Sequence, residues 1–147
     1  MFYHLFIILF SMGAKPRAKR PIEIDLFALG SQINKTNDFL RSLTYAQYLS
    51  ELVKRESHLE ITAPPDSDVV WFRYVCDDID EQDLAGINRM ILYELWAMEN
   101  KMILEDKVGG KYTLKACELN KLSVFSDLDI LVEQVTSIGD VLVREYL

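Results

Sequence analysis

The eight residues from Asp68 to Val75, DVVWFRYV, constrain the fold more than any other segment. Six of them are β-branched or aromatic, a composition that fits a pleated strand and crowds a helix. Alternation assigns Val70, Phe72 and Tyr74 to one face and Val69, Trp71, Arg73 and Val75 to the other. Both faces carry apolar groups, so this strand needs neighbours. The next segment supplies a cover: Asp80 is placed to cap a helix, Asp83 adds negative charge to its first turn, and Leu84, Ile87, Ile91, Leu95 and Met98 recur at helical spacing.

The remaining periodicities complete a simple order. A helix is expected from Ser31 to about Arg55, with Ile33, Leu40, Leu43, Tyr48, Leu49, Leu52 and Val53 near one face. Leu59, Ile61 and Ala63 alternate as a short strand that Pro64-Pro65 is expected to end. Residues 102–104 and 111–117 read as two further strands, with the turn between them at Gly109-Gly110. Ser126 with Asp129 resembles a capping pair for a last helix carrying Leu128, Leu131, Val132, Val135, Ile138 and Leu142. The order α-β-β-α-β-β-α predicts an α+β domain: a small antiparallel or mixed sheet of about four strands, with helices on one face.

At 147 residues the chain has room for one core. Its formal charge is −7, and all 23 acidic residues lie beyond residue 20, so the body lacks the clustered cations that nucleic acid binding requires. Two cysteines, Cys76 and Cys117, are too few for a disulfide scaffold or a zinc site; they point to a reducing, cytoplasmic setting and to small buried groups in or beside strands. Residues 1–12 are almost wholly apolar and precede the basic run KPRAKR at 15–20. Twelve residues fall short of a membrane span, and a secretory signal would place the charges first. An interfacial anchor, a remnant of a displaced start and a segment that packs elsewhere all remain open. The remnant is favoured, membrane contact is not expected, and residues 1–18 are read as an extension outside a domain of 19–147.

The common catalytic constellations are missing. The chain has no Gly-x-Gly-x-x-Gly, no Gly-Lys-Ser/Thr loop and no Gly-x-Ser-x-Gly elbow. Two histidines, His4 and His58, give little material for a nucleophilic triad, and His58 reads as a surface or half-buried polar residue. The run DDIDEQD at 77–83 lacks the glycine and the distal glutamate of a calcium loop, and reads as a solvated turn with a helix cap. Trp71, Phe72 and Tyr74 read as strand core rather than as a base-stacking platform.

Four segments, in order, carry a resemblance: KRPIEIDLFALG, YAQYLSELVKRESHLEITAPPDSDVVWFRYV, INRMILYEL and GKYTLKACELNKLSVFSDLDILVEQVTSIGDVL. From about Lys19 to Leu147 the chain resembles the C-terminal small domain of pyridoxal-phosphate-dependent group II amino-acid decarboxylases, the glutamate, aromatic and diaminobutyrate group. In the tail, Asn120, Asp127, Asp129 and Gly139 match the pattern, while Lys121 stands where a proline is frequent. Lys115 stands where the family usually has an arginine, which in some members faces the substrate carboxylate.

The resemblance implies a carboxy-lyase whose pyridoxal phosphate is an electron sink on a Schiff-base lysine. The large domain that holds this cofactor in the family has no counterpart here, and none of the nine lysines follows a histidine. The expectations are therefore a truncated or split member that is inactive alone, with no catalytic, cofactor or metal residues of its own. Lys115 is its candidate substrate-binding residue, although a lysine lacks the planar fork of arginine; the alternative for Lys115 is an exposed or edge-strand lysine. A separate large-domain chain or a homo-oligomer is the expected partner. The competing reading is a non-catalytic protein-interaction module that uses the sheet face otherwise packed on a large domain.

Overall fold

A computed structural model describes residues 43–146, and the compact unit within it begins at Tyr45. In chain order the elements are α1 (Tyr45–Lys54), β1 (Leu59–Asp66), β2 (Val69–Tyr74), α2 (Glu81–Ala97), β3 (Ile103–Val108), β4 (Lys111–Ala116), a single turn α3 (Leu119–Leu122) and α4 (Phe125–Tyr146). The expected order holds, with α3 added. The expected start of the first helix at Ser31, the positions Ile33 and Leu40, and the boundary after residue 18 lie outside the described residues.

The four strands form one sheet in the order β1-β2-β4-β3, and every pairing is antiparallel. Of the two sheet types expected, the antiparallel one is realised. Phe72 pairs with Leu114 and Val70 with Ala116, so these residues share a face with Tyr74, and all five are buried. The helices lie on that face: α1 packs on β1 and β2, α2 on β2, β3 and β4, and α4 against β2, α1 and α2. Leu49, Ile91, Leu95, Leu128, Leu131 and Val135 close the core between them.

Local chemistry explains most boundaries. Asp80 caps α2, its carboxylate accepting from the Asp83 N–H at 2.8 Å. Gly109 and Gly110 have φ of +57° and +79°, which a two-residue turn with both central residues left-handed requires, and the turn closes on the pair Val108 and Lys111.

Two expectations need correction. Pro64-Pro65 does not end β1, which continues to Asp66 with register irregularities on either side of Ala63. A proline removes a backbone donor, but β1 is an edge strand and its irregular ladder tolerates the loss. Ser126 and Asp129 do not cap the last helix either. That helix starts earlier, and the Asp127 carboxylate reaches back to accept from the Val124 N–H at 2.9 Å. Asp129 is buried and accepts instead from the Tyr48 hydroxyl at 2.8 Å, joining α4 to α1.

Both cysteines are free and flank strand ends, half-buried rather than fully buried. Burial pushes the Cys117 thiol above its ordinary pKa, and the thiol donates to the Met102 carbonyl at 3.4 Å. Among the described residues no helix is long and apolar enough to cross a membrane.

Candidate functional site on the sheet face opposite the helices

Alternation along β2 and β4 carries Trp71, Arg73 and Lys115 to the face opposite the helices. Lys115 is not at an edge: β4 is an inner strand, and Lys115 pairs with Trp71 on one side and Leu104 on the other. Its ammonium stands 6.0 Å from the centre of the Trp71 ring, within reach of a cation–π attraction. The Trp71 indole N–H donates to Asp106 Oδ2 at 2.9 Å. Hydrogen bonds from the Lys107 backbone and from Trp71, with the nearby Lys115 charge, hold the Asp106 carboxyl below its usual pKa range. Indole, ammonium and carboxylate thus form a small polar cluster at the centre of the face. Leu104 beside it is 45% exposed.

Arg73, on the same face, is engaged differently. Only 4% of it is exposed; its Nε donates to Glu60 at 2.7 Å, and its two terminal nitrogens hold Glu81 in a fork at 2.6 and 3.0 Å. Three of the five N–H donors of the guanidinium are taken by its own domain, and they tie β1 to the start of α2. Among the described residues Lys115 has no hydrogen bond or ion pair, which leaves its donors available to an incoming anion.

Three of the four tail positions that match the decarboxylase pattern, Asp127, Asp129 and Gly139, have internal roles. Asp127 caps α4 and Asp129 binds Tyr48. Gly139 lets α4 approach the Tyr74 ring. Asn120 and Lys121 are exposed in α3.

A second cluster was not legible in the sequence. The Tyr74 hydroxyl donates to Asp140 Oδ1 at 2.7 Å, and the same oxygen lies 2.9 Å from His58 Nδ1. His58 is half-buried, as its sequence context suggests, but it is paired across 82 residues. Hydrogen bonding to an acid so distant in the chain leaves no local pattern.

Among the described residues, no lysine is placed as a resident pyridoxal phosphate requires. A Schiff-base lysine must be deprotonated in a desolvated pocket, with a carboxylate directed at the pyridine nitrogen. Lys54, Lys101, Lys107 and Lys121 are exposed, and Lys111 and Lys115 are half-buried on the sheet. The acid nearest the site, Asp106, is already bonded to Trp71 and Lys107.

No protein-family model matches the chain, and no curated protein matches it. Solved structures do. TDC from Oryza sativa with PLP and tryptamine superposes with a TM-score of 0.61 at 19% identity, over 75% of this chain and 24% of that one. Catharanthus roseus tryptophan decarboxylase with L-tryptophan gives 0.59 at 22% identity, over 75% and 23%. The glutamate decarboxylase domain of a diaminobutyrate-pyruvate transaminase and L-2,4-diaminobutyrate decarboxylase from Vibrio parahaemolyticus gives 0.58 at 20% identity, over 80% and 24%. The chain spans about a quarter of the length of these structures, and what it shares with them is the fold of a decarboxylase segment.

Proposed function

We propose that the chain is the small domain of a pyridoxal-phosphate-dependent amino-acid decarboxylase, inactive alone, and that it completes a carboxy-lyase site whose cofactor is held by a large domain on a separate chain. The observation that supports this reading is the superposition of three quarters of this chain on one quarter of decarboxylase structures. Lys115 is the residue offered to the substrate carboxylate, as a half-buried inner-strand ammonium on the face opposite the helices, beside the exposed Leu104.

Native mass spectrometry of the chain co-expressed with its genomic neighbours tests the reading, because one spectrum reports partner, stoichiometry and bound cofactor together. The expected result is a complex with a larger chain that carries pyridoxal phosphate, with no borohydride-reducible cofactor on the isolated chain. A cofactor reduced onto this chain itself, or a complex whose partner holds none, overturns it. In the complex, Lys115→Met should lower kcat/KM about 10- to 100-fold, the worth of a charged hydrogen bond of roughly 1.5–3 kcal/mol. Lys115→Arg should retain most of the activity.

A further inference from the structure

Among the described residues β3 is an edge strand, and that edge is partly closed by the protein's own side chains. In a hairpin closed on Val108 and Lys111, the pairs Asp106–Thr113 and Leu104–Lys115 exchange hydrogen bonds, so Ile103, Glu105 and Lys107 direct their backbone groups away from β4. Two of these outward groups are taken. The Trp96 indole donates to the Ile103 carbonyl at 2.7 Å, and the Lys107 N–H donates to Asp106 Oδ1 at 2.7 Å. Asp106 is held in place for this by its other oxygen, which accepts from Trp71.

What such an edge would pair with follows from its charges. Two copies of β3 meeting antiparallel about Asp106 place Glu105 of each copy opposite Lys107 of the other, a complementary pair repeated twice. Leu104 then faces Val108. The backbone groups that this register needs are those of Glu105 and Lys107, and the Lys107 N–H is the one that Asp106 occupies. The same register sets the two Asp106 carboxylates against each other. Burial leaves the strand reachable, since Leu104, Glu105 and Lys107 are all exposed.

We propose that Asp106, assisted by Trp96, guards the β3 edge against antiparallel pairing with β3 of a second copy of this chain. The other edge needs no such device, because Pro64 and Pro65 have no backbone N–H to offer a second strand within β1. The guard works by occupying the Lys107 donor that this register needs, with Trp96 on the Ile103 acceptor one step beyond it, and by charge at the centre of the register.

Analytical ultracentrifugation of Trp96→Phe/Asp106→Ala against the parent chain tests this, with circular dichroism to establish that the variant is folded. The expected result is a mass twice that of the parent at raised concentration. Asp106→Asn, which keeps an acceptor for the Lys107 N–H, should keep the parent's mass. Adding Glu105→Pro to the double variant removes an outward donor without costing a bond to β4, and should restore the parent's mass. A folded double variant with the parent's mass overturns the proposal, as does association that Glu105→Pro fails to reverse. Association of Asp106→Asn equal to that of the double variant also overturns it. If the double variant loses its fold, Asp106→Ala alone is read by the same criteria.

Discussion

A Cβ on Gly139 would collide with Cδ2 and Cε2 of the Tyr74 ring. The glycine in the middle of α4 is therefore the point at which the last helix rests on the central strand. In an exposed helix a Gly→Ala change gains about 1 kcal/mol from lost chain freedom. Here a methyl group would enter the space of a fully buried ring that cannot swing away. Gly139→Ala should therefore destabilise the domain, by about 1–3 kcal/mol as overpacking does. Urea unfolding of Gly139→Ala, Tyr74→Leu and the double variant checks it: relief of the clash in the double variant should appear as a favourable coupling between the two positions.

The same tyrosine sets an alkaline limit. Burial, and then its hydrogen bond to Asp140, push the Tyr74 phenol far above its ordinary pKa. A folded-state pKa raised above the unfolded value of about 10 means that the native state holds this proton more tightly. The associated stability is fully present below pH about 10 and is lost as pH rises beyond it. Tyr112, raised by burial and by Glu105, acts in the same direction. Tyr74→Phe should cost about 1.5 kcal/mol near neutrality through the lost hydrogen bond to a carboxylate, and should make the fall in stability above pH 10 shallower. Thermal unfolding from pH 8 to 11 separates the two effects.

Glu94 is an acid with the opposite relation to its surroundings from a paired one. It is buried in α2, and its Oε2 has no hydrogen-bond partner. Burial raises its pKa above the ordinary carboxylate range, so the native state prefers the protonated form. The domain should be favoured by this group below the unfolded pKa of about 4.3, and should lose that contribution as pH rises through the folded value. Glu94→Gln should remove this decline, and Glu94→Leu should stabilise the domain at pH 7 by about 1 kcal/mol. Parallel denaturant titrations at pH 4.5 and 7 measure the difference; a parent and a Glu94→Gln variant with equal pH slopes would contradict it.

Elements with a buried face could be found in the sequence, because burial leaves a period. Val70, Phe72 and Tyr74 alternate, and Leu84, Ile87, Ile91 and Leu95 recur at helical spacing, and all of them lie in the core. The outer half of β3 was less legible, since Glu105 and Lys107 are charged and exposed, and Asp106 is charged and only half-buried, on an edge. Pro64-Pro65 misled for a related reason: whether a proline ends a strand depends on which neighbour the strand has, and sequence does not supply neighbours. Lys115 could be singled out by resemblance, but its place over Trp71 depends on the β2–β4 register. The Tyr74–Asp140–His58 cluster and the Glu60–Arg73–Glu81 bridge bring together residues from separate elements. Polar pairings of that kind have no periodic signature.

Arg73 gives an acid-side prediction. The guanidinium donates two hydrogen bonds to Glu81, which hold that carboxyl below its ordinary pKa. A depressed folded-state pKa contributes stability above the unfolded value of about 4.3, and this is lost as pH falls through the folded one. Glu81 is exposed and regains water when its partner is removed, so the larger part of the loss belongs to the buried arginine. Arg73→Lys keeps the charge but cannot fork, and its ammonium would be asked to serve Glu60 and Glu81 from one point. Melting temperatures at pH 7 should rank the parent above Arg73→Lys and Arg73→Lys above Arg73→Ala. Between pH 4.5 and 2.5 the three should converge, because protonating Glu81 breaks its fork with Arg73 in the parent as the substitution does in the variants. Melting curves that stay equally far apart across that range would mean that Arg73 acts through packing of its aliphatic stem rather than through the bridge.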